Sequence, residues 1–123
     1  MPGLAEKNIS SDHGTTYYWT NEIESAVSLV FLPGLSADHR PFEPQLLFYW
    51  DKIKVLVWDC PCHGKSRPYD SFSYANVSDE LNCILETECV DQAVFIGQSL
   101  GGMIAQYYID QHPARAAGFV SVD

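Results

Sequence analysis

Four short apolar runs mark out the chain, at residues 26–32, 53–58, 92–97 and 116–122. They are nearly continuous rather than alternating and rich in β-branched or aromatic residues. This is how strands covered on both faces of a parallel sheet read. Residues 14–20, Gly-Thr-Thr-Tyr-Tyr-Trp-Thr, predict an outer, antiparallel strand ahead of them. Between the runs the apolar period lengthens to that of helices. Ser73 is placed to cap a helix burying Val77, Leu81, Ile84 and Leu85, and residues 100–111 form another, ended by Pro113. Residues 42–49 read as a short helix after Pro41. Strands alternating with helices of this length predict an α/β fold: a mostly parallel sheet with helices on both faces.

In such sheets chemistry gathers beyond the carboxyl ends of the strands. Four segments qualify: residues 33–40, 59–67, 97–102 and Asp123. The third is Gly97-Gln98-Ser99-Leu100-Gly101-Gly102. It follows a strand and opens a helix, as a G-x-S-x-G nucleophile elbow requires. A strand turning directly into a helix holds the apex residue, Ser99, in a strained conformation clear of its neighbours. Gly97 and Gly101 remove side chains that collide in so tight a turn, and Gly102 is expected to let the helix pack closely on the sheet. The helix N-terminus below offers amide N–H groups and a positive dipole end to a developing oxyanion.

Taken together, Pro33-Gly34-Leu35, then Asp59-x-x-x-His63-Gly64-x-Ser66, then the elbow, then His112-Pro113, each in its place between strands and helices, resemble the N-terminal half of the α/β-hydrolase superfamily. Pro33 stands where close relatives often carry His, and Cys62 where they carry Gly. The resemblance implies that Ser99 is a nucleophile and that the backbone N–H groups of Leu100 and Leu35 form the oxyanion hole. It implies hydrolysis of an ester or related acyl bond in a small-molecule substrate, without cofactor or metal. In the family the acid and the His follow the nucleophile in the chain. The expectation is therefore a partial domain over residues 1–123, truncated after the strand that follows the elbow helix. The usual acid, His and lid would lie outside it, leaving the fragment inactive alone. The alternative is a non-catalytic remnant that binds a small ligand or a partner chain.

Other histidines and acids are weaker candidates. His112 lies 13 positions along the helix from Ser99, about 20 Å at 1.5 Å per residue, and is excluded as a partner. His39 and His63 sit on loops at the correct end of the sheet, and Asp123 stands where some hydrolases place the acid. Phe42, Trp58 and Met103 are read as core.

Composition narrows the setting. Sixteen acids against seven Lys plus Arg give a net charge of −9, which argues against nucleic acid and against an anionic membrane surface. The apolar runs are too short to span a bilayer, and the N-terminus has no signal-peptide pattern. A cytoplasmic protein is the expectation, with Cys60, Cys62, Cys83 and Cys89 as reduced thiols. Cys60-Pro-Cys62-His63 misses the usual zinc spacings. Finally, the edge of the last strand is expected to be open to self-association.

Overall fold

The computed structural model describes residues 3–122. Six strands form one sheet: β1 (Ala5–Ser11), β2 (Gly14–Thr20), β3 (Val27–Leu32), β4 (Val55–Trp58), β5 (Gln92–Gln98) and β6 (Ala116–Val122). Their spatial order is β1-β2-β4-β3-β5-β6. β4, β3, β5 and β6 run parallel, while β2 pairs antiparallel with β4 and β1 antiparallel with β2. Three helices connect them: α1 (Glu43–Tyr49), α2 (Tyr74–Thr87) and α3 (Leu100–Gln111). The β3–β4 crossover passes through α1, the β4–β5 crossover through α2, and the β5–β6 crossover through α3.

Each face of the sheet carries its own core. On one side α2 and α3 cover Tyr18, Val30, Leu32, Leu56, Trp58 and Phe95 with Val77, Leu81, Ile84, Leu85, Ile104 and Tyr108. On the other, α1 and the turn before it set Phe42 and Leu46 against Trp19, Phe31, Val55 and Val57. The expected helix positions are thus the buried ones, and Ser73 caps α2 by accepting a hydrogen bond from the Asn76 N–H at 3.0 Å. α3 ends at Gln111, with His112 off the helical backbone at φ −135° and ψ 60° ahead of Pro113.

Coverage is uneven across the sheet. β4 is buried at every position, whereas β5 alternates, with Ala93, Phe95 and Gly97 buried and Val94 and Ile96 half-buried. On the side away from α3, α1 reaches the β3–β4 region and leaves β5 and β6 uncovered among the described residues. Val120 and Val122, which share that face with their β5 partners Ile96 and Gln98, are consequently exposed, and Phe119, on the opposite face beside Phe95, is exposed as well. β1 had no apolar signature in the sequence. It is a polar edge strand that anchors through Ile9, packed at the rim of the core.

Candidate active site

Ser99 is the single residue between β5, which ends at Gln98, and α3, which begins at Leu100. Its φ of 52° and ψ of −116° lie where only glycine is comfortable. The side chain is exposed, and its hydroxyl makes no capping bond to α3. The backbone holds the residue in place: its N–H donates to Val122 C=O at 3.3 Å, and its C=O accepts from Gly102 and Met103 N–H at 2.9 and 3.2 Å. The N–H groups of Leu100 and Gly101 belong to the first turn of α3, where no carbonyl four residues back exists within the helix to receive them.

The close approach of the backbone explains the glycines. A β-carbon at Gly97 would lie 2.6 Å from Gly102 Cα, and one at Gly101 would lie 1.9 Å from Leu32 O. Gly102 is different from what the sequence suggested. A β-carbon there meets nothing nearer than 3.5 Å, ordinary van der Waals contact, so the tight packing is carried by Gly97 and Gly101.

The loop after β3 lies against the elbow. A β-carbon on Gly34 would come within 3.2 Å of Ser99 Cβ and 3.0 Å of Gln98 O. Leu35 follows directly, with its side chain 69% exposed.

A buried acid ties this loop to the one after β4. Asp59 is 1% exposed and accepts from His39 N–H at 2.8 Å, from the His39 ring Nδ1–H at 2.9 Å and from Lys65 N–H at 2.9 Å. The His39 ring stacks on Trp19 with centroids 3.7 Å apart. Gly64 closes over the carboxyl group so tightly that a β-carbon there would lie 2.2 Å from Asp59 Oδ2. Beneath it, Ser66 Oγ donates to Asp59 C=O and accepts from Tyr17 N–H. Cys62 takes a φ of 76° in this loop, the left-handed backbone that glycine favours, and its thiol reaches Tyr69 C=O at 3.4 Å. Burial pushes the neighbouring Cys60 thiol well above its ordinary range, so it stays protonated.

The expected residues are therefore partly gathered. Ser99, Leu100 and the Pro33–Leu35 turn come together. His39 sits between β2 and β4, two to three strand spacings from β5, roughly 10–14 Å. His63 is turned to its own loop, its Nδ1–H donating to Pro61 C=O at 3.1 Å. Neither ring is hydrogen-bonded to Ser99 among the described residues. Asp123 lies outside the described residues. Met103 departs from the core reading: Phe42 and Trp58 are buried, but Met103 is 56% exposed, with its thioether accepting from Tyr74 O–H. Asp59 stood in the loop motif that the sequence displayed, but its clasp on His39 and Lys65 did not show there. No group of three or more metal-ligating side chains occurs among the described residues, and all four cysteines are free.

The alpha/beta hydrolase fold family profile matches residues 27–123. The chain belongs to that family. As an alpha/beta hydrolase it is 29% identical over 85 residues to 3-oxoadipate enol-lactonase 1 of Acinetobacter baylyi, covering 69% of this chain and 32% of that protein. It is 38% identical over 80 residues to 2-succinyl-6-hydroxy-2,4-cyclohexadiene-1-carboxylate synthase of Pectobacterium atrosepticum, covering 65% of this chain and 31% of that one. Among solved structures it superimposes on an alpha/beta hydrolase of Novosphingobium aromaticivorans with a TM-score of 0.87 at 26% identity, covering 100% of this chain and 45% of the other. It also superimposes on Est816, an N-acyl homoserine lactone degrading enzyme, with a TM-score of 0.85 at 29% identity, covering 94% of this chain and 44% of that one. The alpha/beta hydrolase chain thus spans about a third of the curated relatives it matches and under half of the solved ones. No helix among the described residues is long and apolar enough to cross a membrane.

Proposed function

We propose that this chain carries the nucleophile and oxyanion hole of a serine hydrolase acting on an ester or related acyl bond. The observation that carries the reading is the backbone of Ser99, an exposed hydroxyl held at φ 52°, ψ −116° at the head of α3. Strain of this kind costs about 1–3 kcal/mol and is kept where it serves a site. In the proposed reaction Ser99 Oγ attacks the acyl carbon while its proton passes to a base. The carbonyl oxygen, now negative, is received by the N–H groups of Leu100 and Leu35. Collapse breaks the bond to the leaving alcohol, which takes up the proton, and water then cleaves the acyl-serine to a carboxylic acid. Removing one oxyanion donor from such a site costs about 3–4 kcal/mol.

In this reading the base and its orienting acid come from outside the described residues, since the His39 ring is bonded to Asp59 and the His63 ring to Pro61 C=O, and neither is hydrogen-bonded to Ser99. The reading therefore treats residues 1–123 as part of a catalytic domain, inactive by itself. The lactonase and ester-hydrolase names among the relatives support acyl transfer as the reaction class. The free cysteines support a reducing, cytoplasmic setting.

A small base supplied in solution tests this on the chain itself. With 4-nitrophenyl acetate and added imidazole, the chain should turn over ester above the level of Ser99→Ala under the same conditions. Equal rates for the two proteins would refute Ser99 as the nucleophile. A second reading, a non-catalytic module that pairs through β6, draws on that strand's uncharged, exposed edge. A concentration-dependent dimer lacking any Ser99-dependent turnover would favour it.

A further inference from the structure

A cleft of about 840 Å³ opens between the loop after β3 and the loop after β4, at the same end of the sheet as Ser99. Leu35 and Ser36 line one wall, and His63, Gly64 and Arg67 line the other, with the Asp38–Arg40 pair at the rim. Its two guanidinium groups are in different states. Arg40 is committed to Asp38, its Nε–H donating to both carboxylate oxygens at 2.8 and 3.0 Å. Burial alone would raise the Asp38 carboxyl, but the Arg40 hydrogen bonds and charge outweigh it and hold it below the usual carboxylate range. These two charges cancel.

Arg67 has no carboxylate within salt-bridge distance among the described residues, although the chain carries sixteen acids. It is nevertheless oriented. Its Nε–H donates to Gly64 C=O at 3.1 Å, and Gly64 is in turn held over the buried Asp59 carboxyl group. With Nε occupied, the two terminal Nη groups remain as a fork, the geometry that takes a carboxylate through two parallel hydrogen bonds.

We infer that Arg67 is a carboxylate subsite of this cleft, so that the acyl substrate carries a second, anionic group away from the scissile bond. The inference rests on Ser99 being the nucleophile only for the identity of the ligand as substrate. Arg67 lies on the loop after β4 and Ser99 at the end of β5, with β3 between those two strands. That separation asks for a flexible chain between the carboxylate and the reacting carbonyl.

The test is an amide-resolved NMR titration of the whole chain with glutarate, against glutaramide as its uncharged isostere. Glutarate should shift the amides of Leu35, His63 and Gly64 along one saturable curve, weaken with added sodium chloride, and bind at least threefold more weakly to Arg67→Gln. Arg67→Lys, which keeps charge but loses the fork, should fall between. The subsite is overturned if Arg67→Gln titrates like the native chain, if glutaramide acts like glutarate, or if no saturable shift appears. The imidazole-supported assay uses a neutral ester and reads Ser99 independently. A failed titration beside Ser99-dependent turnover sinks the subsite alone; a successful one without that turnover sinks the nucleophile and leaves an anion site.

Discussion

Asp59 holds His39 twice, through the backbone N–H at 2.8 Å and through the ring Nδ1–H at 2.9 Å, and so fastens the loop that carries Leu35 to the end of β4. The pair is shaped like the acid–base half of a catalytic triad, yet its ring lies on Trp19, away from the elbow. Its role is to position a loop. Asp59→Asn replaces one acceptor oxygen by a donor that faces N–H groups, leaving buried donors without partners. Hydrogen bonds to a charged group are worth about 1.5–3 kcal/mol, so a loss of about 2 kcal/mol or more is expected in urea unfolding. His39→Ala should cost less, because the His39 backbone bond survives.

The strain at Ser99 gives a prediction of opposite sign. Ser99→Gly should raise stability by about 1–2 kcal/mol, since glycine adopts positive φ freely. Ser99→Ala keeps the β-carbon and should stay within about 0.5 kcal/mol of the native chain, as surface substitutions do. Thermal melts of the two variants check the difference.

A related contrast concerns Gly101 and Gly102. Gly101→Ala drives a β-carbon into the Leu32 carbonyl and should destabilise by about 3 kcal/mol or prevent folding. Gly102→Ala meets only ordinary contacts and should be tolerated, with a small gain from helix propensity. Circular dichroism melts of the pair decide between steric need at both glycines and at one.

Cys62 shows what the sequence disclosed and what it withheld. Its replacement of a glycine in the loop after β4 was visible, but the φ of 76° was not, because backbone angles follow from how the loop closes over Asp59. Cys62→Gly should accordingly stabilise by about 1 kcal/mol. Strands β2 to β6 and the three helices were legible because buried strands and amphipathic helices write their periods into the apolar residues. β1 was not, since a polar edge strand is fixed by its partner β2 and carries no such period. The elbow was legible because Gly97, Ser99 and Gly101 are demanded by one tight turn. The Asp59 clasp was hidden because it joins loops whose meeting depends on strand order, and nothing in residues 39, 59 and 65 alone reveals that order.

Glu88 supplies a pH dependence at the opposite end of the sheet. Burial alone would raise its carboxyl, but hydrogen bonds from Tyr18 O–H and Lys7, with the charge of Lys54, outweigh it and hold it below the usual range. A carboxyl lowered by folding stabilises above its unfolded value near 4.3, and that contribution disappears as pH falls through the lower folded value. Glu88→Gln should therefore flatten the loss of stability below about pH 4 in denaturant titrations. A slope unchanged from the native chain would show that the four groups do not act together.

The most direct measurement of the central claim is the site of covalent capture by a fluorophosphonate in the presence of imidazole, mapped by mass spectrometry of the digested chain. The account predicts one phosphonyl adduct on the Ser99 hydroxyl, absent from Ser99→Ala. An adduct distributed over other serines and tyrosines, or undiminished in that variant, would contradict it.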